Sequence, residues 1–274
     1  MRKSSGLNAG EDVEAKKRTA PRVAIVYEAI HREGMDELAR PGLALAFSGL
    51  AAGLSMGFSM VAEGLLAAGL PDAGWAHLVS KLGYSVGFLI VVLGRQQLFT
   101  ENTLTPILPF LQDREWSTLV QVARLWGIVL LANIVGAFLF ALIVSQTRVL
   151  TSGTADAILE FSREMVEPAF GTTFVRAIFA GWLIALMVWL LPFAESGRVL
   201  VIILITWLVG LGSFSHIIAG SVEAGYLLFL GEAGPGILAW RFFLPTLLGN
   251  IIGGVALVTA INHAQVVSGT TETS

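Results

Sequence analysis

Cysteine is missing from this 274-residue chain, which removes disulfides, thiolate chemistry and the commonest zinc sites together. Charge is scarce as well: Asp, Glu, Lys and Arg make up 14%, against about 25% in an ordinary soluble domain. The net charge of -3 is too small to suggest a nucleic-acid partner. Nor do the few chemically active side chains assemble into an enzyme. No Ser–His–Asp set, metal cluster or phosphate-cradling glycine loop can be drawn at a shared depth, so no cofactor or metal is expected. The carboxylates fall almost entirely at the ends of apolar runs or between them, which argues against a pump built on buried carboxylate relays. An apolar first run beginning only after residue 40 leaves no cleavable signal to be read.

What fills the chain instead is hydrocarbon. Hydrophobic residues reach 55% and the mean hydropathy is +0.75. A helix needs about 20 apolar residues to cross a bilayer. Runs of that kind occupy residues 42–70, 119–144, 174–193 and 242–261. Two further spans are interrupted. One runs over 83–93, breaks at Gly94-Arg95-Gln96-Gln97-Leu98-Phe99-Thr100-Glu101-Asn102 and resumes over 104–111. The other runs over 199–211, breaks at Gly212-Ser213-Phe214-Ser215-His216 and resumes over 217–230. Irregular backbone at membrane depth leaves peptide groups unpaired, so it survives only where protein buries it or where it lines a cavity. Paired broken spans in corresponding positions mark a pathway across the membrane.

The correspondence is internal to the chain. Leu130-Leu131-Ala132-Asn133-Ile134-Val135-Gly136-Ala137 reads almost as Leu247-Leu248-Gly249-Asn250-Ile251-Ile252-Gly253-Gly254, an offset of 250 − 133 = 117 residues. The same offset carries Phe99 onto His216, so the two breaks are expected in equivalent places. Three spans, duplicated, give an all-α membrane protein of six helices in an inverted 3+3 repeat. Gly49, Gly53 and Gly57 in the first span, Gly136 in the third, and Gly249 and Gly253 in the last make smooth faces for close helix packing.

Eight of the 17 basic residues lie within the first 41 positions: Arg2, Lys3, Lys16, Lys17, Arg18, Arg22, Arg32 and Arg40. By the positive-inside rule the amino end is cytoplasmic, and six spans return the carboxyl end to that side. Three regions follow: a cytoplasmic amino-terminal segment (1–40), a channel domain (41–262) and a cytoplasmic tail (263–274). Residues up to about Ala20 have a disordered composition. Residues 23–38 suit either a helix on the membrane surface or a plain linker.

His216 is the singular residue. It follows a long apolar run at the depth of the bilayer centre, where ionisable groups are expensive and default to function. A neutral imidazole there can offer an N–H to a passing anion or exchange a proton with a weak acid. A histidine merely bonded to a carbonyl of the break is the structural alternative. Thr100 adds a hydroxyl flanked by Phe99 and Leu98. Asn250 sits where it can hold His216 in one tautomer, with Asn133 bracing the first break in the same manner. Glu101 is expected to pair with Arg95, and Glu63 to reach the interface or a basic group.

Leu98-Phe99-Thr100 with Asn102-Thr103, Phe214-x-His216-x-x-Ala219, and Gly249-Asn250-Ile251-Ile252-Gly253-Gly254 resemble the formate/nitrite transporter family, over residues 42–261. The resemblance implies an aquaporin-like protomer in the bacterial inner membrane, assembled as a homopentamer in lipid with one pore per protomer. It implies passage of small monovalent anions or their weak acids, formate and nitrite among them. The pathway it implies runs past His216, Leu98, Phe99, Thr100 and Asn250, with apolar constrictions from Phe88, Tyr84 and Val209. Many members carry a lysine just before the fourth span, where this chain has Glu167-Pro168-Ala169-Phe170-Gly171-Thr172-Thr173 with Arg176 beyond; many place an asparagine where Gly220 stands. These departures resemble a divergent, YfdC-type branch. A facilitator of small neutral solutes, or a non-conducting scaffold whose amino-terminal segment binds a partner, are the other functions the residues allow.

Overall fold

A computed structural model describes residues 22–271 together with Asn8, Gly10, Glu11 and Glu14. The expectation of disorder before Ala20 otherwise lies outside the described residues. An amphipathic helix α1 (Val23–Ala39) comes first, followed by the first span, α2 (Gly42–Gly69). The second span is α3 (Ala76–Leu93), then the first break, then a short helix α4 (Ile107–Asp113). The third is α5 (Trp116–Gln146); α6 (Ser152–Val166) connects it to the fourth, α7 (Phe170–Leu190). The fifth is α8 (Arg198–Leu211), the second break and α9 (Ile217–Leu230). The last is α10 (Pro235–Ser268).

Local chemistry explains the boundaries. Gly231 takes the left-handed conformation (φ 77°) that closes α9. Pro235 opens α10 in the first turn, where its missing N–H costs nothing. Thr151 caps α6, its side chain accepting from the Thr154 N–H. The first break is longer than expected: helix resumes only at Ile107, because Pro106 and Pro109 confine regular structure to a short stretch.

The duplication governs packing. The two most extensively packed helix pairs are α2 with α5 and α7 with α10, equivalent pairs of the two halves. Their backbones touch. A Cβ on Gly53 would overlap the Asn133 carbonyl oxygen, one on Gly136 the Leu50 carbonyl, and one on Gly253 the Ile178 carbonyl. With no hydrophobic drive between helices in lipid, such close approach supplies the association energy. The outward faces are apolar, with Leu43, Phe47, Leu131, Ile143, Leu200 and Trp240 exposed.

Helix α1 exists, and it lies on protein: Tyr27, Ile30, Gly34 and Leu38 form its buried face. A Cβ on Gly34 would overlap the Thr105 carbonyl oxygen, so α1 crosses the end of the first break in backbone contact. The tail continues the last helix to Thr271, where Tyr27 and His263 share a 2.8 Å hydrogen bond.

Candidate transport pathway

The two breaks are built alike, residue for residue. Each begins with a glycine followed by a left-handed non-glycine residue, Arg95 (φ 51°) and Ser213 (φ 47°). The next N–H in each turns back five residues: Gln96 to the Val91 carbonyl and Phe214 to the Val209 carbonyl, both at 3.0 Å. An asparagine from a neighbouring span then staples each break. Asn133 Oδ1 accepts from the Phe99 N–H at 2.9 Å, while its Nδ2 donates to the Gln97 and Gly49 carbonyls. Asn250 Oδ1 accepts from the Ile217 N–H at 2.8 Å, while its Nδ2 donates to the Ser215 and Ala177 carbonyls. Both side chains are fully buried, and each amide uses both N–H donors and its carbonyl oxygen.

This geometry corrects the register. The breaks repeat with an offset of 213 − 95 = 118, while the asparagines repeat with 250 − 133 = 117. The second half therefore has one residue fewer between break and asparagine. The partner of His216 is Leu98, and Phe99 corresponds to Ile217. Asn250 also has a different task from the one expected: it braces the backbone and leaves the imidazole alone.

The tautomer of His216 is set by its own helix. His216 is the N-cap of α9, and its Nδ1 accepts from the Ala219 N–H at 3.2 Å. Nδ1 is thus unprotonated and the ring neutral, which assigns the proton to Nε2. Nε2 lies 2.7 Å from Thr100 Oγ1, so imidazole donates and threonine accepts. The Thr100 hydroxyl hydrogen is left without an acceptor among the described residues. Phe88 closes one side, its ring edge-on to the imidazole at 5.0 Å, and Tyr84 packs behind Phe88 at 5.4 Å. Leu98, Phe99, Thr100 and Phe88 are buried, Phe99 against Trp126, whose indole N–H holds the Asn102 carbonyl.

This buried girdle lies between two cavities. One, of about 400 Å³, lies on the α6 side and reaches His216; Tyr84, Val209, Gly220 and Glu223 share its wall. The other, of about 700 Å³, lies on the α1 side and is lined by Gln97, Glu101, Thr105 and the arginines 32, 40, 95 and 198. Of the sequence-expected pathway residues, His216, Tyr84 and Val209 face the first cavity. Thr100 and Phe88 join them through contact with the imidazole, Leu98 and Phe99 belong to the buried girdle, and Asn250 stands behind it.

Among the charges around the cavities, Glu63 takes the basic partner that was one of its expected alternatives, while Glu101 and Glu223 depart from expectation. Glu101 does not pair with Arg95: the left-handed turn sends Arg95 to Glu33 on α1 (2.6 Å), and Glu101 Oε1 has no hydrogen-bond partner among the described residues. Glu63 pairs with Lys81 inside the α6-side cavity. Arg176 lines that cavity too, beside Glu164 and Glu167. Glu223 is a correction to the view that carboxylates avoid the spans, since it sits within α9. A carboxylate in the apolar run seven residues after His216 is the signal that marks it.

Glu37, outside the spans on α1, faces the other cavity. Burial raises its carboxyl to about 7, against the downward pull of hydrogen bonds from Thr105 and Gln97.

Comparison with known proteins agrees with this architecture. Residues 24–264 match the family model of the formate/nitrite transporters. The chain is 41% identical over 258 residues to the inner membrane protein YfdC of Escherichia coli, covering 94% of this chain and 83% of that one. It is 28% identical to the formate channel BtFdhC of Bacillus thuringiensis, covering 85% and 91% of the two chains. Among solved structures, an FNT family ion channel superposes with a TM-score of 0.76 at 18% identity, over 86% of this chain and 97% of the other. A pentameric formate channel with formate bound gives 0.68 at 20% identity, over 80% and 95%. At those identities the structures show the shared fold.

Proposed function

The chain belongs to the formate/nitrite transporter family, and from that premise we propose that it passes a small monovalent anion such as formate or nitrite in its neutral, protonated form. The observation that carries the reading is the neutral His216–Thr100 pair at the end of a cavity, walled by apolar side chains. A bare charge in such a girdle loses its water and finds no counter-ion, at a cost of several kcal/mol or more. A weak acid avoids that cost by taking a proton in one vestibule and releasing it in the other. The free hydroxyl hydrogen of Thr100 is then available to the acid's carbonyl-type oxygen. The N-terminal end of α9, positive by its dipole, opens at the same point and favours any residual negative charge there.

In this reading the α1-side cavity is cytoplasmic, in keeping with the basic amino-terminal segment, and both termini lie inside an inner membrane. Residues 41–262 are the channel, assembled as a homopentamer with its apolar faces against lipid and neighbouring copies. A neutral-solute facilitator remains the second reading, favoured by the carboxylates around Arg176. Uptake of formate and nitrite into liposomes, at acid and neutral pH, tests the proposal. Flux should rise steeply with acidity and fall at least about tenfold in His216→Phe, the loss of one polar partner in a dry site. Flux that ignores both pH and the substitution rejects it.

A further inference from the structure

Resting on the transport reading above, one side chain of the α6-side cavity acquires a task that the reading leaves open. Glu223 lies seven residues beyond His216, the N-cap of α9, and shares a helical face with Gly220 one turn before it. The middle position is Gly220, whose missing side chain leaves its space to the Phe242 ring of α10, since a Cβ would lie 2.5 Å from that ring. Carboxyl, ring and imidazole line the same cavity of about 400 Å³.

The charges facing Glu223 come from every neighbouring element. Glu63 on α2 and Lys81 on α3 form a closed pair, with the Lys81 ammonium also 5.6 Å over the Phe161 ring. Tyr84 on α3, Glu164 on α6, Glu167 just after it and Arg176 on α7 complete the lining. Among the described residues no hydrogen bond or ion pair engages Glu223. With the Lys81–Glu63 pair set aside and Glu223 carrying its proton, two carboxylates, Glu164 and Glu167, face one guanidinium. An anion arriving from this side meets a field of its own sign. Charge attraction is thus a poor way to load this vestibule, and proton transfer is a direct one.

We propose that Glu223 is the proton donor of this vestibule, converting the incoming monovalent oxyanion to its neutral acid before it reaches His216. The O–H bond of the Glu223 carboxylic acid breaks and an O–H bond forms on a substrate oxygen. The carboxylate left behind takes a proton from vestibule water, and nothing is oxidised or reduced. In the outward direction the same carboxylate receives the proton that the acid sheds.

The test is formate uptake by liposomes holding the full-length protein, comparing wild type, Glu223→Gln and Glu223→Asp at about pH 5 and pH 7. A donor is needed most where the solution supplies little neutral acid. Glu223→Gln should therefore raise the ratio of flux at pH 5 to flux at pH 7 by about tenfold or more, the usual scale for losing a positioned acid. Glu223→Asp should restore much of the shallower profile. A wild-type pH profile in Glu223→Gln overturns the donor role and leaves the transport reading standing. So does an equal loss at both pH values from correctly assembled protein, since that marks a structural carboxylate. Wild-type protein that passes no formate at either pH defeats the transport reading itself.

Discussion

The first and second breaks share one scaffold and carry different chemistry. Both use a glycine, a left-handed residue, a backward hydrogen bond and a buried asparagine staple. Yet at the matched position the first break presents Leu98 and the second His216. Beyond it, the first break winds through Thr100, Glu101 and Asn102 to a helix of seven residues, while the second enters a helix of 14 at once. The symmetric part holds peptide groups that lipid would leave unpaired. The asymmetric part supplies a single polar pair, Thr100 from one half and His216 from the other, meeting across the pseudo-twofold relation. Duplication makes the frame, and divergence at the tips makes the site.

The largest effects should come from breaking the shared frame. Asn133→Leu and Asn250→Leu each strand one N–H and one carbonyl of a break, Phe99 and Gln97 or Ile217 and Ser215, in a buried interior, at about 1–3 kcal/mol per group. Both variants should lose their assembled form at temperatures where wild type survives, and by similar amounts, as read by thermal unfolding in detergent. A large loss for one and none for the other would show that the two staples are not equivalent.

A smaller effect separates the breaks, because α1 covers only the first. Glu37 bonds to Thr105 and Gln97 there, and burial lifts its carboxyl from 4.5 to about 7. The folded-state value is raised, so docking of α1 is fully supported below about pH 4.5 and loses support as pH climbs through 7. Hydrogen exchange over residues 23–39, corrected for intrinsic rates, should therefore quicken between about pH 5 and pH 8, and residues of the second break should not follow. Glu37→Gln should flatten that dependence. Exchange over α1 that is insensitive to pH in wild type would remove Glu37 from the docking energetics.

Much of this arrangement is written in the sequence as pattern. Apolar length marks the spans, and the Asn133 and Asn250 motifs announce the duplication before any coordinate is known. The register of the breaks is another matter. One residue fewer separates break from asparagine in the second half, and the offset of 118 shows only in the matched backbone of the breaks, in the left-handed pair Arg95 and Ser213 and in the staple partners Phe99 and Ile217. Side-chain partners were legible where packing allows one choice and illegible where backbone direction decides. Glu101 and Arg95 are close in sequence, but the turn aims the guanidinium at Glu33. Lys81 and Glu63 belong to different spans, and nothing in composition joins them. Glu223 is visible as a helical neighbour of His216 once α9 is known to begin at residue 217.

The central claim is that substrate crosses the girdle between the two breaks without charge. Formate uptake into liposomes whose membrane potential is clamped by a potassium gradient and valinomycin tests it most directly. A neutral acid carries no charge through the field, so accumulation should follow the pH gradient and stay unchanged across 100 mV. A bare anion would feel about 2.3 kcal/mol per 100 mV, and accumulation that tracks the clamped voltage on that scale would contradict the account.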